Sequence, residues 1–308
     1  MTVDPILAYE SLGYTEREAS FLYLVAVHSG YFLRRQFDFF INRQKGAIAH
    51  NFLEKARAAG HIEVIDYGEA RHVYHLFSKP MYRLLGIADS QNRRLKGDGP
   101  IRARLIALDC ILENDKDHYL ESDRDKVHYF SSIRRIPRET FTDRNGRLYP
   151  VIASCPVAVV DRTRPAASLV RFVFADEALI TAGKFDRLLA TAELLFRSLG
   201  AFELIYASNS AHNFTQAEAL FRKRFDAPAP NTQGTLSRDW GIGLGSADTE
   251  GPALVKAQFT TMLLHWSYPR IRRNEVRALA SVRRSGLAEF DQRIEHTIDR
   301  AKEGSGEV

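Results

Sequence analysis

A group of amide, histidine and cationic side chains lies around one predicted helix and the hairpin that follows it. The group consists of Arg43, Gln44, Lys45, His50, Asn51 and Arg71. An amide such as Gln44 or Asn51 is chemically suited to an adenine edge in the DNA major groove. Lys45 and His50 could reach base edges or phosphates, and a helix N-terminus adds a partial positive charge toward a phosphate. Arg71 would lie over the adjacent DNA backbone and add salt-dependent affinity. These six are the candidate DNA-binding residues.

The order of predicted elements indicates how this group is positioned. Thr15, with Glu18 three residues on, predicts a capping box at the start of the first long helix. Helices are predicted over 33–41 and 44–59, and strands over 61–67 and 72–77 flank a turn that contains Gly68. The second helix carries an apolar stripe at helical spacing, formed by Ile48, Phe52, Ala56 and Ala59. Helix, turn, helix and hairpin is the order of a winged helix-turn-helix, which predicts a reader of double-stranded DNA. The alternative is a winged helix used for protein contact or dimerisation.

The length, the composition and the net charge favour a folded protein with an acidic partner. The chain has 308 residues, 45% hydrophobic and 26% charged, with a net charge of +5. No apolar run is long enough to span a membrane, and the first residues lack the pattern of a signal peptide. Cys110 and Cys155 cannot form a disulfide framework, so we expect a cytoplasmic protein. The arginine-rich segment 270–284 could clamp DNA, bind an acidic partner or form a solvated helix face.

The second half becomes rich in strand-forming residues from Tyr149, in the stretches YPVIASCPVAVV and SLVRFVFA. Residues 181–199 are predicted as an amphipathic helix whose inner face consists of Phe185, Leu188, Leu189, Ala192, Leu195 and Phe196. Residues 101–225 are predicted as helix, two or three strands, long helix, strand and helix, which indicates an α/β domain with a mixed or parallel sheet. We therefore expect a winged-helix domain over 1–92, an α/β domain over 100–228, and a loop with a basic helical extension over 229–308. The boundary between the first two is placed in the polar, glycine-containing linker 90–100. The extension is predicted to become helical from about Ala253.

Two resemblances follow from these patterns. The segments TEREASFLYLVAVHSGYFLRRQFDFF, RQKGAIAHNFLEKARAAGHI and VYHLFSKPMYRLL resemble the winged-helix part of the replication-relaxation family of plasmid and mobile-element proteins. The region from Ile101 to about Phe225 resembles the αβββαβ core of restriction-endonuclease-like folds. The resemblance implies a DNA-binding protein of a plasmid, phage or integrated element, with a role in transfer, replication or transcriptional control.

The sequence departs from the nuclease pattern at the catalytic positions, and this departure leads to a prediction about catalysis. An active member of that fold places an Asp on the second core strand and Glu/Asp-x-Lys on the third, where they hold Mg²⁺. The matching stretches CPVAVV and SLVRFVFA lack this set; Asp161, Asp176 and Glu177 stand at strand ends, and Lys184 belongs to the next helix. We therefore expect a degenerate domain without catalysis, metal or cofactor.

Alternatives remain open at this stage. One is a Mg²⁺-dependent nuclease with displaced acidic residues, namely Glu113, Asp161 and Asp176. Another is an interaction module in which both domains bind protein. A homodimer is expected, because winged-helix readers often pair half-sites. His72 and His75 are three residues apart on a strand and so point to opposite faces, which argues against metal binding there.

Overall fold

The computed structural model describes residues 4–42, 47–67, 72–161, 163–177, 182–225 and 256–264, all within one compact unit. The α-helices of the described residues are α1 (Pro5–Glu10), α2 (Glu16–Leu24), α3 (Arg34–Phe40), α4 (Ala47–Ala58), α5 (Lys79–Leu84), α6 (Asp98–Glu113), α7 (Asp123–His128), α8 (Pro150–Ala153), α9 (Gly183–Leu199) and α10 (Phe214–Phe225). The strands are β1 (Tyr31–Phe32), β2 (Ile62–Asp66), β3 (His72–Leu76), β4 (His118–Tyr119), β5 (Val157–Val159), β6 (Val170–Asp176), β7 (Ala201–Ser208) and β8 (Lys256–Leu263). The mixture of helices and strands confirms the predicted α/β class.

The first sheet is antiparallel and small. Its strand order is β1-β3-β2, with Phe32 opposite Tyr74 and Ile62 opposite Leu76. The predicted capping box opens α2: the Glu18 amide donates to Thr15 Oγ1 (3.4 Å), and the Thr15 amide donates to Glu18 Oε2 (2.8 Å).

Aromatic side chains hold α4 against α2, α3 and β1. Phe52 stacks on Phe37 with ring centroids 4.2 Å apart, and it also contacts Phe21 and Phe32. All four rings are buried, and such ring pairs contribute about 0.5–1.5 kcal/mol each beyond the area they bury.

The predicted apolar stripe of α4 was partly wrong. Ile48 is 41% exposed and Ala59 is exposed, whereas the buried face consists of Ala49, Phe52, Leu53 and Ala56. The difference is a rotation of the helix about its axis. Packing of the large Phe52 ring together with Leu53 sets this rotation, and Ile48 lies to one side of the resulting contact.

The second sheet has the order β4-β5-β6-β7-β8. Strands β4, β5 and β6 are antiparallel neighbours, and β6, β7 and β8 run parallel. Helix α9 connects β6 to β7 and buries its predicted inner face, which consists of Phe185, Leu188, Leu189, Ala192, Leu195 and Phe196. Large side chains of β6 and β7, such as Phe172 and Phe202, form the core with it.

Two expectations about this sheet were wrong. Residues 256–263, expected within a helical region from about Ala253, form strand β8 beside β7. Their exposure nearly alternates, as expected of an edge strand covered on one face. Residues 150–153, read as the start of a strand, form α8, because Pro150 fits the first turn of a helix.

Helix α6 contacts both halves of the described unit. Leu108 and Leu112 belong to the core around α2 and α4, while Ile111 packs against Tyr119 and Ala158 of the second sheet. The same helix therefore supports both sheets, and the division into domains at 90–100 stays a prediction. In the ranges given above, no helix combines the length and apolarity that crossing a membrane requires.

Candidate nucleic-acid interface

The outward surface of α4 is uncovered along its whole described length. His50 and Asn51 are exposed, as are Glu54, Arg57 and Ala58 further along the same side. Glu54 and Arg57 form an exposed ion pair whose Oε1 and Nη1 atoms are 3.8 Å apart. Such a pair contributes little to stability, so both groups can exchange partners at low cost. This surface offers an amide, an imidazole, a carboxylate and a guanidinium to a binding partner.

One lysine of α4 serves the fold and is not part of that surface. Lys55 Nζ donates to the carbonyl of Gly13 (3.1 Å), pairs with the Glu18 carboxylate and lies 4.9 Å from the centre of the Tyr14 ring. The Tyr14 hydroxyl is in turn 2.8 Å from Nδ1 of His61, just after the helix. Burial lowers the pKa of His61, which favours the neutral imidazole. These contacts fix α4 against the start of α2.

The preceding helix α3 is fixed by a buried carboxylate on α6. Asp109 accepts hydrogen bonds from Nη1 and Nη2 of Arg35 (2.7 and 2.8 Å) and from Nε2 of Gln36 (2.8 Å). Gln36 Nε2 also donates to the carbonyl of Leu105 (2.9 Å), and its Oε1 accepts from the amide of Leu33 (2.8 Å). Both Asp109 and Gln36 are buried. This network ties α3 to α6.

The hairpin β2–β3 lies beside α4. Asp66 pairs with His72 at its far end, and residues 68–71 lie outside the described residues. The Tyr67 hydroxyl donates to the Asp98 carboxylate (3.0 Å), which joins this end of the hairpin to the start of α6. Burial and the nearby Asp98 carboxylate raise the pKa of Tyr67. The phenol therefore stays protonated and keeps its donor role.

The two histidines of β3 have separate environments, as expected. His75 is buried, stacks on Tyr31 with ring centroids 4.4 Å apart, and places Nδ1 2.7 Å from Oε1 of Glu63. His72 is exposed and lies 3.6 Å from the Asp66 carboxylate. Within the parts of the chain that are described, no cluster of three or more His, Cys, Asp or Glu residues could hold a metal ion.

The predicted DNA-binding residues divide into two sets. His50 and Asn51 are exposed next to each other on α4. The other four predicted residues, Arg43, Gln44, Lys45 and Arg71, lie outside the described residues. Glu54 and Arg57 were not among the predicted residues, although their positions four and seven residues after His50 indicate the same face of the helix.

Of the three acidic residues of the nuclease alternative, Glu113 is the last residue of α6, and Asp161 and Asp176 are far apart. Asp161 follows β5, and its amide donates to Ser168 Oγ (2.7 Å) just before β6, whereas Asp176 is the last residue of β6. At about 3.3 Å per strand residue, the two carboxyls are roughly 20 Å apart or more. Ligands of one metal ion must lie within about 2–2.6 Å of it. These two residues therefore cannot hold the same ion.

The face of β6 toward α6 carries a cation. Arg171 Nε donates to Glu203 Oε2 on β7 (2.7 Å), and Nη1 pairs with the Asp117 carboxylate. Thr260 on β8 donates to the other oxygen of Glu203 (2.8 Å). Burial alone would lower the pKa of Arg171, but the carboxylates of Glu203 and Asp117 raise it above its ordinary value. The guanidinium therefore remains charged, and Ala158 is its neighbour on β5.

Comparison with protein-family models, with curated proteins and with solved structures finds no match for this chain.

Proposed function

We propose that the protein binds double-stranded DNA through the outward surface of α4 and the β2–β3 hairpin, without catalysis. The observation that carries this proposal is the contrast between the two sides of α4. One side is packed on aromatic rings and fixed by Lys55, and the other presents His50, Asn51, Glu54 and Arg57 to solvent. A rigid helix with a polar, uncovered face is what major-groove binding requires.

The order and pairing of the surrounding elements support a winged-helix arrangement. Helix α2 is followed by β1, the helices α3 and α4, and the hairpin β2–β3. The sheet order β1-β3-β2 places the hairpin next to the strand that precedes α3. In helix-turn-helix proteins the second helix of the pair enters the major groove and reads base edges, and α4 has that position. Its 12 residues span about 18 Å at 1.5 Å per residue.

Two side chains on α4 have a defined chemical preference among bases. The Asn51 amide can donate to adenine N7 and accept from N6, and the Glu54 carboxylate can accept from cytosine N4. A carboxylate is repelled by phosphates, so Glu54 weakens binding to every duplex unless a base compensates for it. Asn51 and Glu54 together therefore favour binding to particular sequences over equal binding to every duplex. Arg71, together with Arg43, Gln44 and Lys45, would add contacts from the hairpin and from the segment before α4.

The second sheet supports the non-catalytic part of the proposal. Apart from α7 and α8, which stand between β4 and β5, the order α6, β4, β5, β6, α9, β7 is that of the αβββαβ pattern of restriction-endonuclease-like folds. The side of β5 and β6 that faces α6 carries Ala158 and Arg171 among its side chains, and Arg171 is paired with two carboxylates. A fixed guanidinium repels Mg²⁺ from the place where an active nuclease would hold it. We propose that this part braces α3 through α6, in a protein that serves a plasmid, phage or integrated element.

The test uses the full chain in two assays. The affinity for a pool of random duplexes should fall steeply as the salt concentration increases. Repeated selection of bound duplexes from the same pool should enrich particular sequences. Incubation with supercoiled plasmid and Mg²⁺ or Mn²⁺ should leave the plasmid intact. Failure to shift any duplex at low salt would refute DNA binding, whereas metal-dependent, chelator-sensitive cleavage would refute only the absence of catalysis.

A further inference from the structure

The segment from Gln91 to Asp98 crosses the face of the first sheet that α4 does not cover. Asn92 Nδ2 donates to the carbonyls of Ala26 (3.0 Å) and Val27 (2.7 Å). A Cβ atom on Gly30 would lie 2.1 Å from the carbonyl oxygen of Asn92, so only glycine allows the segment to approach so closely. The segment is therefore held tightly at its beginning against the residues that precede β1.

Further along, a single buried phenol holds the backbone. The Tyr31 hydroxyl donates to the carbonyl of Arg94 (3.0 Å) and accepts from the amide of Lys96 (2.9 Å). Asp98 then accepts from Tyr67, at the end of β2 where the chain enters the tip of the hairpin. The segment thus runs beside the hairpin with a fixed backbone.

Between Asn92 and Gly97 the charged side chains are all cationic. Arg93, Arg94 and Lys96 stand within four residues, and among the described residues no carboxylate lies within ion-pair distance of any of them. Burial lowers the pKa of Lys96, and the guanidinium groups of Arg104 and Arg94 lower it further. Cations are thus gathered here in spite of mutual repulsion, which favours an anionic partner.

The local geometry suits a chain of regularly spaced negative charges. The backbone is extended at Arg94 (φ −87°, ψ 137°) and again at Gly97 (φ −74°, ψ 167°). Residues two apart on an extended segment point to the same side, about 6.6 Å apart at 3.3 Å per residue. Arg94 and Lys96 have this spacing, and Leu95 between them is 67% exposed. Two neighbouring anions on one strand could each meet one of these cations.

We propose that Arg94 and Lys96, with Arg93 beside them, form a phosphate-binding strip that contacts the backbone of the duplex beyond the hairpin. The strip extends the interface proposed above, on which this inference rests. It would hold DNA by charge alone, because the side chains meet phosphates and not base edges. The strip should therefore increase affinity for all duplexes equally and leave the choice of sequence to α4.

The test compares two double variants of the full chain that lose the same charge. R94A/K96A removes two cations of the strip, and K116A/K223A removes two exposed lysines outside it. Two lost phosphate contacts should make the slope of log affinity against log salt shallower by about 1.8, at about 0.9 per contact in duplex DNA. The preferred sequence should not change, and the control slope should equal that of the wild type. The charge reversal R94E/K96E should weaken binding at low salt more than R94A/K96A.

The outcomes separate a failure of the strip proposal from a failure of the proposed function. Equal slopes for R94A/K96A, the control and the wild type, with DNA binding intact, would overturn the strip and leave the proposed function standing. No duplex binding by the wild type would overturn both. Folding is controlled by thermal melting, and we expect little change because Arg94 and Lys96 are held through backbone atoms that the substitutions retain.

Discussion

Arg35 on α3 places both terminal nitrogens on the carboxylate of Asp109 on α6, at 2.7 and 2.8 Å, across 74 positions of sequence. A bidentate pair of this kind fixes orientation as well as distance. Because α4 follows α3 directly, the pair sets the platform from which the outward face of α4 is presented. Asp109 is 4% exposed, so little solvent screens the interaction.

Replacing Asp109 with alanine should destabilise the protein strongly. Removal of one partner from a buried pair leaves the other charge uncompensated and costs about 3–5 kcal/mol. Because the Arg35 side chain keeps 23% of its exposure, we expect the lower end of that range in the free energy of unfolding measured with urea. The control is D38A, which breaks a more exposed pair with Arg34 at 3.7 Å and should cost below about 1 kcal/mol. Equal costs would contradict the bracing role of Asp109.

Replacing Gly30 with alanine should be worse than the same change at Gly60. Both glycines have positive φ angles, 79° and 67°, so both variants carry backbone strain of about 1–3 kcal/mol. A Cβ at Gly60 meets nothing within 4 Å, whereas one at Gly30 would collide with the backbone of Asn92. Melting temperatures of G30A and G60A isolate the collision. A G30A protein as stable as G60A would show that the 91–98 segment is not held tightly against the residues that precede β1.

The stability should fall in acid partly because of His28. Burial, and to a smaller extent the charge of Lys126, lower the pKa of His28 from 6.5 to about 3. A folded-state pKa below the unfolded value means that the neutral ring contributes stability above pH 6.5, and this contribution is lost as the pH falls toward 3. One proton changes the free energy by at most about 1.4 kcal/mol per pH unit.

The measurement for His28 is urea unfolding between pH 7 and pH 4, in the wild type and in H28Q. His28 retains part of its exposure, so we expect a loss smaller than the limit for one proton. The wild type should lose more stability than H28Q over this interval. Parallel curves would mean that the ring is protonated equally well in the folded and unfolded states.

Glu54 gives a prediction about selectivity. E54Q removes a negative charge from the outward face of α4, so affinity for random duplexes should increase several-fold while the preference for the selected sequence decreases. E139Q removes a charge of the same sign from an exposed position outside α4 and should change neither quantity. Titration of both variants against selected and random duplexes provides the comparison. If E54Q bound all duplexes with unchanged affinity, the carboxylate would lie away from the DNA.

Local patterns in the sequence predicted the local structure well. The Thr15 capping box and the inner face of α9 depend on spacing within one helix, and both are confirmed. Strand β8 was missed because its nearly alternating pattern is short and stands between a polar loop-like stretch and an arginine-rich one. The orientation of α4 was misjudged because Ile48 and Ala49 are both apolar, and only packing distinguishes them.

Contacts between distant parts of the sequence could not be predicted. Arg35 and Asp109 have no local signature, and neither do Arg171 and Glu203, which meet only because β6 and β7 lie side by side. The strip at Arg94 and Lys96 was read as part of a polar linker, since composition does not reveal that a buried tyrosine fixes it. The exposure of His50 and Asn51 was predictable because a helical period indicates exposure as well as burial.

The central claim is that α4 reads DNA, and the most direct test is the sequence preference of H50A/N51A. The matched control is H212A/Q216A, which removes an exposed histidine and an exposed amide elsewhere in the chain. Loss of one bidentate base contact costs about 1–3 kcal/mol of discrimination, or roughly 5- to 150-fold. We predict that H50A/N51A loses this much preference for the selected duplex over a random one and that the control keeps it. Undiminished preference in H50A/N51A would contradict the claim.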